Sequence, residues 1–74
     1  MKLNFLTALI AIHIGSVDQI HEGYADVEVS GEKIPPYYLS IPLPLFPCRV
    51  SEGTVFYIYK SAEAIEIRCG IPPE

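Results

Sequence analysis

The chain has no tryptophan, one methionine and only five lysines and arginines against nine aspartates and glutamates. So few cations, on a chain with a formal net charge of −4, argue against a nucleic-acid partner, since that class of binding rests on Lys and Arg contacts to phosphate. No run of about 20 apolar residues is present, the length needed to cross a bilayer as a helix. No Gly-rich phosphate loop of the form G-x-x-x-x-G-K-[ST] or G-x-G-x-x-G occurs. Nothing therefore points to a nucleotide or other cofactor. Cysteine is limited to Cys48 and Cys69. These read first as two buried, reduced thiols, with a single disulfide as the alternative. Zinc could only be held by His13, His21, Cys48 and Cys69, and no two of them have the close spacing of a structural site, so no metal is expected.

What is present is compact and apolar. Half of the 74 residues are hydrophobic, too many for a disordered chain and enough for one small domain spanning 1–74. Met1 to Ile14 has Lys2 followed by an apolar run, as a signal peptide does. Asn4, Thr7 and His13 interrupt it, and no small-x-small cleavage site follows. The expectation is a cytoplasmic protein, with secretion the alternative if that run is a signal peptide. Within it, Ile10, Ile12 and Ile14 alternate and are β-branched, which favours a first strand from about Ala8, bent at Gly15-Ser16. A helix over residues 5–14, capped by Asn4 and ended by Gly15, is the alternative and would make the fold α+β.

The most regular stretch is Val17 to Val29. Ala25, Val27 and Val29 alternate with Asp26 and Glu28, the signature of a half-buried strand. Tyr24, Asp26 and Glu28 should therefore face water or a partner. His21-Glu22-Gly23 reads as one turn and Ser30-Gly31 as another, with a third short strand at Glu32-Lys33-Ile34 completing a meander. Five of the seven prolines then fall within the thirteen residues 35–47. Proline lacks an amide donor, so this segment cannot be a paired central strand. It is expected to run extended over the surface as a lid, with its leucines and Phe46 pinned on the open end of a barrel. The P-x-x-P spacing at Pro44 to Pro47 would suit a proline-recognising domain, but only Arg49 lies nearby to support it.

Thr54 to Tyr59 is the strongest strand, six β-formers in a row, with Phe56 and Ile58 on one face and Val55, Tyr57 and Tyr59 on the other. Ala64 to Cys69 alternates again, with Ile65, Ile67 and Cys69 inward and Glu66 and Arg68 outward. Residues 70–74 form a tail. The reading is an all-β, five-stranded antiparallel meander or barrel with a proline-rich excursion.

That order is similar to Src-homology-3-like and OB-type small barrels, in which an acidic-Gly turn precedes a core strand. More narrowly, Val17, Asp18, Ile20, Glu22, Gly23, Ala25, Val27 and Glu28, then Pro42 or Pro44, Pro47, Glu52, Gly53, Val55 and Phe56, resemble the pattern of a family of short prokaryotic proteins of unknown function. The resemblance covers about residues 17–58. His21 stands as an extra residue before Glu22-Gly23. It implies a compact β fold and carries over no functional residue.

Catalysis has little to draw on. Cys48 with His13 or His21 would need a motif that is absent. Asp26 and Glu28 on one strand face read as a solvated edge rather than a hydrolytic carboxylate pair. No enzyme is expected. The feature above background is aromatic and acidic: Tyr24, Asp26 and Glu28 on one strand, and Tyr57 and Tyr59 on another. Tyrosine is enriched in interfaces, so these five are the candidate partner-binding residues. The partner is a protein with a basic or apolar patch, as a small inhibitor or decoy would have, or a second copy of the chain through Tyr57 and Tyr59. No membrane partner is expected. A competing reading has Tyr37 and Tyr38 cover Tyr57 and Tyr59 within the monomer.

Overall fold

The computed structural model describes residues 11–31 and 33–73. They form five strands: β1 (Ala11–His21), β2 (Tyr24–Ser30), β3 (Tyr37–Pro42), β4 (Val55–Lys60) and β5 (Ile65–Cys69), with a single 3-10 turn at Leu43–Leu45. All pairings are antiparallel, in the order β3-β2-β1-β4-β5. The fold is all-β, as its alternating patterns predict. β1 to β3 form a meander, and the β4–β5 hairpin adds to the other side of β1. β3 and β5 are not paired to each other, so the sheet is open rather than a closed barrel. Among the described residues no helix is long and apolar enough to cross a membrane.

β1 includes Ile12 and Ile14, which therefore lie in a strand and not in a helix. The expected start at Ala8, and residues 5–10 of the alternative helix, lie outside the described residues. The irregularity of β1 falls at Asp18 instead of Gly15-Ser16. Val17 opposes Val27, but Gln19 opposes Asp26, leaving Asp18 as the extra residue of a bulge. The bulge resolves a conflict in V-D-Q-I, whose apolar residues are three apart rather than two. It lets both Val17 and Ile20 reach the core.

The β1–β2 turn is two residues long, with φ at 53° for Glu22 and 83° for Gly23. Positive φ at both central positions matches the twist of a hairpin. The third strand was expected at Glu32-Lys33-Ile34. Glu32 lies outside the described residues, and Lys33 and Ile34 form a bend. The third strand is instead β3, inside the proline-rich stretch. It lies at a sheet edge, where a missing donor is tolerated, and ends at Pro42. The lid is therefore shorter than expected and starts after Pro42.

One face of the sheet carries the core: Val17, Ala25, Val27, Val29, Ile41, Phe56 and Ile58, all buried. A single sheet leaves that face open unless chain is laid over it. Residues 43–50 supply the cover. Phe46 is buried and meets Phe56 edge to face, ring centres 5.3 Å apart and planes at 89°, a preferred aromatic geometry. Leu43 and Val50 pack beside it, and the Leu43 amide donates to the Gly23 carbonyl at 2.9 Å. Leu45 points away and is exposed. The cover is bolted down by a disulfide between Cys48 and Cys69, which ends β5. This corrects the expectation of two free thiols. Twenty-one residues apart in sequence, the two cysteines meet because Cys69 lies on the inner face beside Phe56 and beneath the cover.

Candidate functional site

The opposite face of the sheet has no covering segment among the described residues, and it holds the candidate residues. Register places them in rows across the strands. Tyr38, Glu28, Ser16 and Val55 form one row; Ser30, Ile14, Tyr57 and Arg68 form the next; Ile12, Tyr59 and Glu66 form a third. The β1–β4 half is apolar, with Ile12, Ile14 and Val55 all exposed. The β2–β3 half is polar and acidic.

Asp26 is the centre of the polar half. Its Oδ1 accepts a hydrogen bond from Ser40 Oγ at 2.7 Å, and its Oδ2 accepts from Gln19 Nε2 at 3.0 Å. His21 Nε2 lies 2.8 Å from the same Oδ2 and donates to it when the ring proton is on Nε2. The bulge makes this possible. A regular strand would set Asp18 opposite Asp26, two carboxylates facing each other; the extra residue brings Gln19, a donor, into that position instead. The Ser40 hydroxyl first, then the Gln19 amide and His21, stabilise the ionised form and lower the Asp26 pKa from 3.8 to about 2. Asp26 is thus a fixed negative charge at any physiological pH.

Tyr24 and Glu28 also lie on this face as expected, Tyr24 exposed and Glu28 half-buried. Tyr57 does not match expectation. It faces outward by parity, yet only 7% of it is exposed. Ile14 opposes it on β1 and Arg68 on β5. Tyr59 is half-buried under the Arg68 guanidinium, which sits 4.6 Å from its ring centre. Arg68 is held by Glu66, which with Tyr57 raises its pKa further. Tyr57 is therefore part of the monomer's packing and Tyr59 half of it, so a self-association built on these two side chains lacks its anchor. Tyr37 and Tyr38 do not cover them. Tyr37 turns to the inner face, where its hydroxyl meets His13 Nδ1 at 3.0 Å. Tyr38 is 70% exposed and pairs with Glu28.

Tyr38 and Ser40 are the residues that sequence reasoning missed. Their signal was the alternation of Tyr37, Leu39 and Ile41 with Tyr38 and Ser40, obscured by the flanking prolines. With Asp18, Asp26, Val27 and Leu39 they line a shallow depression of about 310 Å³. A second, of about 300 Å³, lies over Ile14, Gly15, Ser16, Glu28, Ser30 and Val55. The arrangement presents one stabilised carboxylate, a second acid, and two exposed tyrosines around open hollows. The disulfide takes both thiols out of nucleophilic or zinc chemistry, and among the described residues no three of His, Cys, Asp and Glu gather around a common point.

Comparison with family models, curated proteins and solved structures finds no match to this chain.

Proposed function

We propose that the protein is a non-catalytic protein-binding module that uses the outer face of β2 and β3. The observation that carries this reading is the Asp26 carboxylate, held by hydrogen bonds from Ser40 and Gln19 on an open face between Tyr24 and Tyr38. Among the described residues, the charged side chains that β2 and β3 carry on that face are both acidic, Asp26 and Glu28. The complementary partner is a protein segment with a Lys or Arg for the carboxylates and an apolar residue for Tyr38. Preorganised polar groups beside exposed aromatics suit binding because little side-chain freedom is lost on contact. An inhibitor or decoy of a basic protein surface has this chemistry.

The Cys48–Cys69 bond supports an oxidising compartment as the place of work, since the cytosol keeps thiols reduced. Intact-mass analysis after alkylation, on protein isolated from its source, tests this; two modified cysteines would return the protein to the cytoplasm.

Binding is tested by capture from a source lysate with wild type and Glu28→Lys/Tyr38→Ser, a variant that leaves the Asp26 hydrogen bonds in place. Proteins captured by wild type alone are then reduced to their basic segments and titrated as peptides. Affinity should fall with added salt. Equal capture by both proteins would remove the proposal.

A further inference from the structure

β5 is the edge strand that lacks the prolines found in and beside β3. β3, at the other edge, is bounded by Pro35, Pro36 and Pro42, and prolines blunt an edge against pairing. β5 contains no proline, lysine or bulge, and it carries Ile65, 71% exposed. The phase of its hydrogen bonds follows from its two ends. The Ser61 amide donates to the Ala64 carbonyl, and the Gly70 amide donates to the Val55 carbonyl. In an antiparallel ladder such bonds recur at every second residue. Residues 64, 66, 68 and 70 therefore turn their backbone groups to β4. Ile65, Ile67 and Cys69 present theirs at the outer edge, where no strand pairs among the described residues.

The side chains of β5 are self-complementary. In an antiparallel pair centred on Ile67, Ile67 meets its own copy and Ile65 meets Cys69. Both pairings join residues with free edge groups. Glu66 then stands opposite Arg68, and Arg68 opposite Glu66, in the pairs where cross-strand side chains come closest. A parallel pairing in register would instead set Glu66 against Glu66. We infer that two copies of this chain join through β5, antiparallel about a twofold axis at Ile67, into one continuous sheet. Glu66 and Arg68, now paired within the strand, become a four-member network of alternating charge on the outer face. On the inner face the exposed Ile65 is buried against the neighbour's Cys48–Cys69 bond. Cys69 is tied to the cover through its inner-face side chain, while its backbone groups lie at the strand edge. The twofold leaves both outer faces on the same side of the joined sheet.

Sedimentation equilibrium of the oxidised full chain over a wide concentration range tests the inference. Wild type should pass from monomer to dimer mass as concentration rises. Glu66→Arg should weaken the dimer about tenfold or more by placing like charges opposite each other, and Glu66→Arg/Arg68→Glu should restore it. Ile65→Pro deletes an edge-facing amide that β4 does not use, so it should give a monomer with an unchanged circular dichroism spectrum, and it decides the matter if the charge variants fold poorly. A wild type that stays monomeric throughout overturns the inference. So does a dimer indifferent to both the charge swap and Ile65→Pro. None of these substitutions touches the β2–β3 face, so this result and the partner-binding result stand or fall separately.

Discussion

Gly15 shows how tightly one position is set. It lies directly opposite Phe56 on β4, and a Cβ built on it would come 2.4 Å from the tip of the Phe56 ring. The ring occupies the space a side chain would need, and Phe56 also packs edge to face against Phe46. Gly15→Ala should therefore destabilise by about 1–3 kcal/mol, the range for overpacking a filled core. Urea unfolding checks this, and Gly15→Ala/Phe56→Leu should recover part of the loss. Glu22 is the opposite case, a side chain where the backbone prefers none. Its φ of 53° is in the left-handed region, which disfavours residues other than Gly, Asn and Asp. Glu22→Asn gives the Asn-Gly pair favoured in this turn and should raise stability by about 0.5–1 kcal/mol, seen as a higher urea midpoint at unchanged slope. Asp26 sets the acid behaviour. Its folded pKa, about 2, lies below the ordinary 3.8, so the native state binds fewer protons than the unfolded chain in acid. The resulting stabilisation is complete above about pH 5 and is lost as pH falls toward 2. Wild type and Asp26→Asn should thus converge in urea midpoint across that window, and parallel curves would contradict the assignment.

At the scale of elements, the readable strands were those whose alternation is uninterrupted. β2 is legible because Ala25, Val27 and Val29 alternate with two carboxylates, and this parity also placed Tyr24, Asp26 and Glu28 correctly on the outer face. β5 is legible for the same reason, and β4 because six β-forming residues, Thr54 to Tyr59, follow one another. β3 was hidden because a proline at each end of a six-residue strand looks like exclusion from a sheet, although an edge accepts it. The Asp18 bulge, and with it the Gln19–Asp26 contact, depends on register between strands, which spacing within one strand does not encode. The burial of Tyr57 has the same origin, since it depends on which residues oppose it on β1 and β5. β5 also carries an energetic expectation. Its side chains are mostly exposed, so its tie to the cover through Cys48 matters. Cys48→Ser/Cys69→Ser should lower stability by about 3 kcal/mol through the lost chain constraint. Amide exchange should quicken first in β5 and in residues 43–50, with β1 and β2 affected last.

The whole molecule divides by face. One side of the sheet is spent on a core roofed by residues 43–50, and the other has no roof among the described residues. The roof makes the inner side independent of any partner, because Phe46, Leu43 and Val50 shield the residues that would otherwise need one. Substitutions at Tyr38 or Glu28 should therefore have little effect on folding, whereas substitutions at Phe46 should destabilise the fold.

The bond between Cys48 and Cys69 also closes residues 48–69 into a covalent loop that contains all of β4 and β5. Proteolytic nicking at the exposed Glu52-Gly53 or Ala62-Glu63 turn cannot release a fragment from such a loop. The nicked protein should run as one species, heavier by a single water, and separate into two peptides only after a reducing agent is added. A molecule exposed to extracellular proteases would keep its sheet through a first cut.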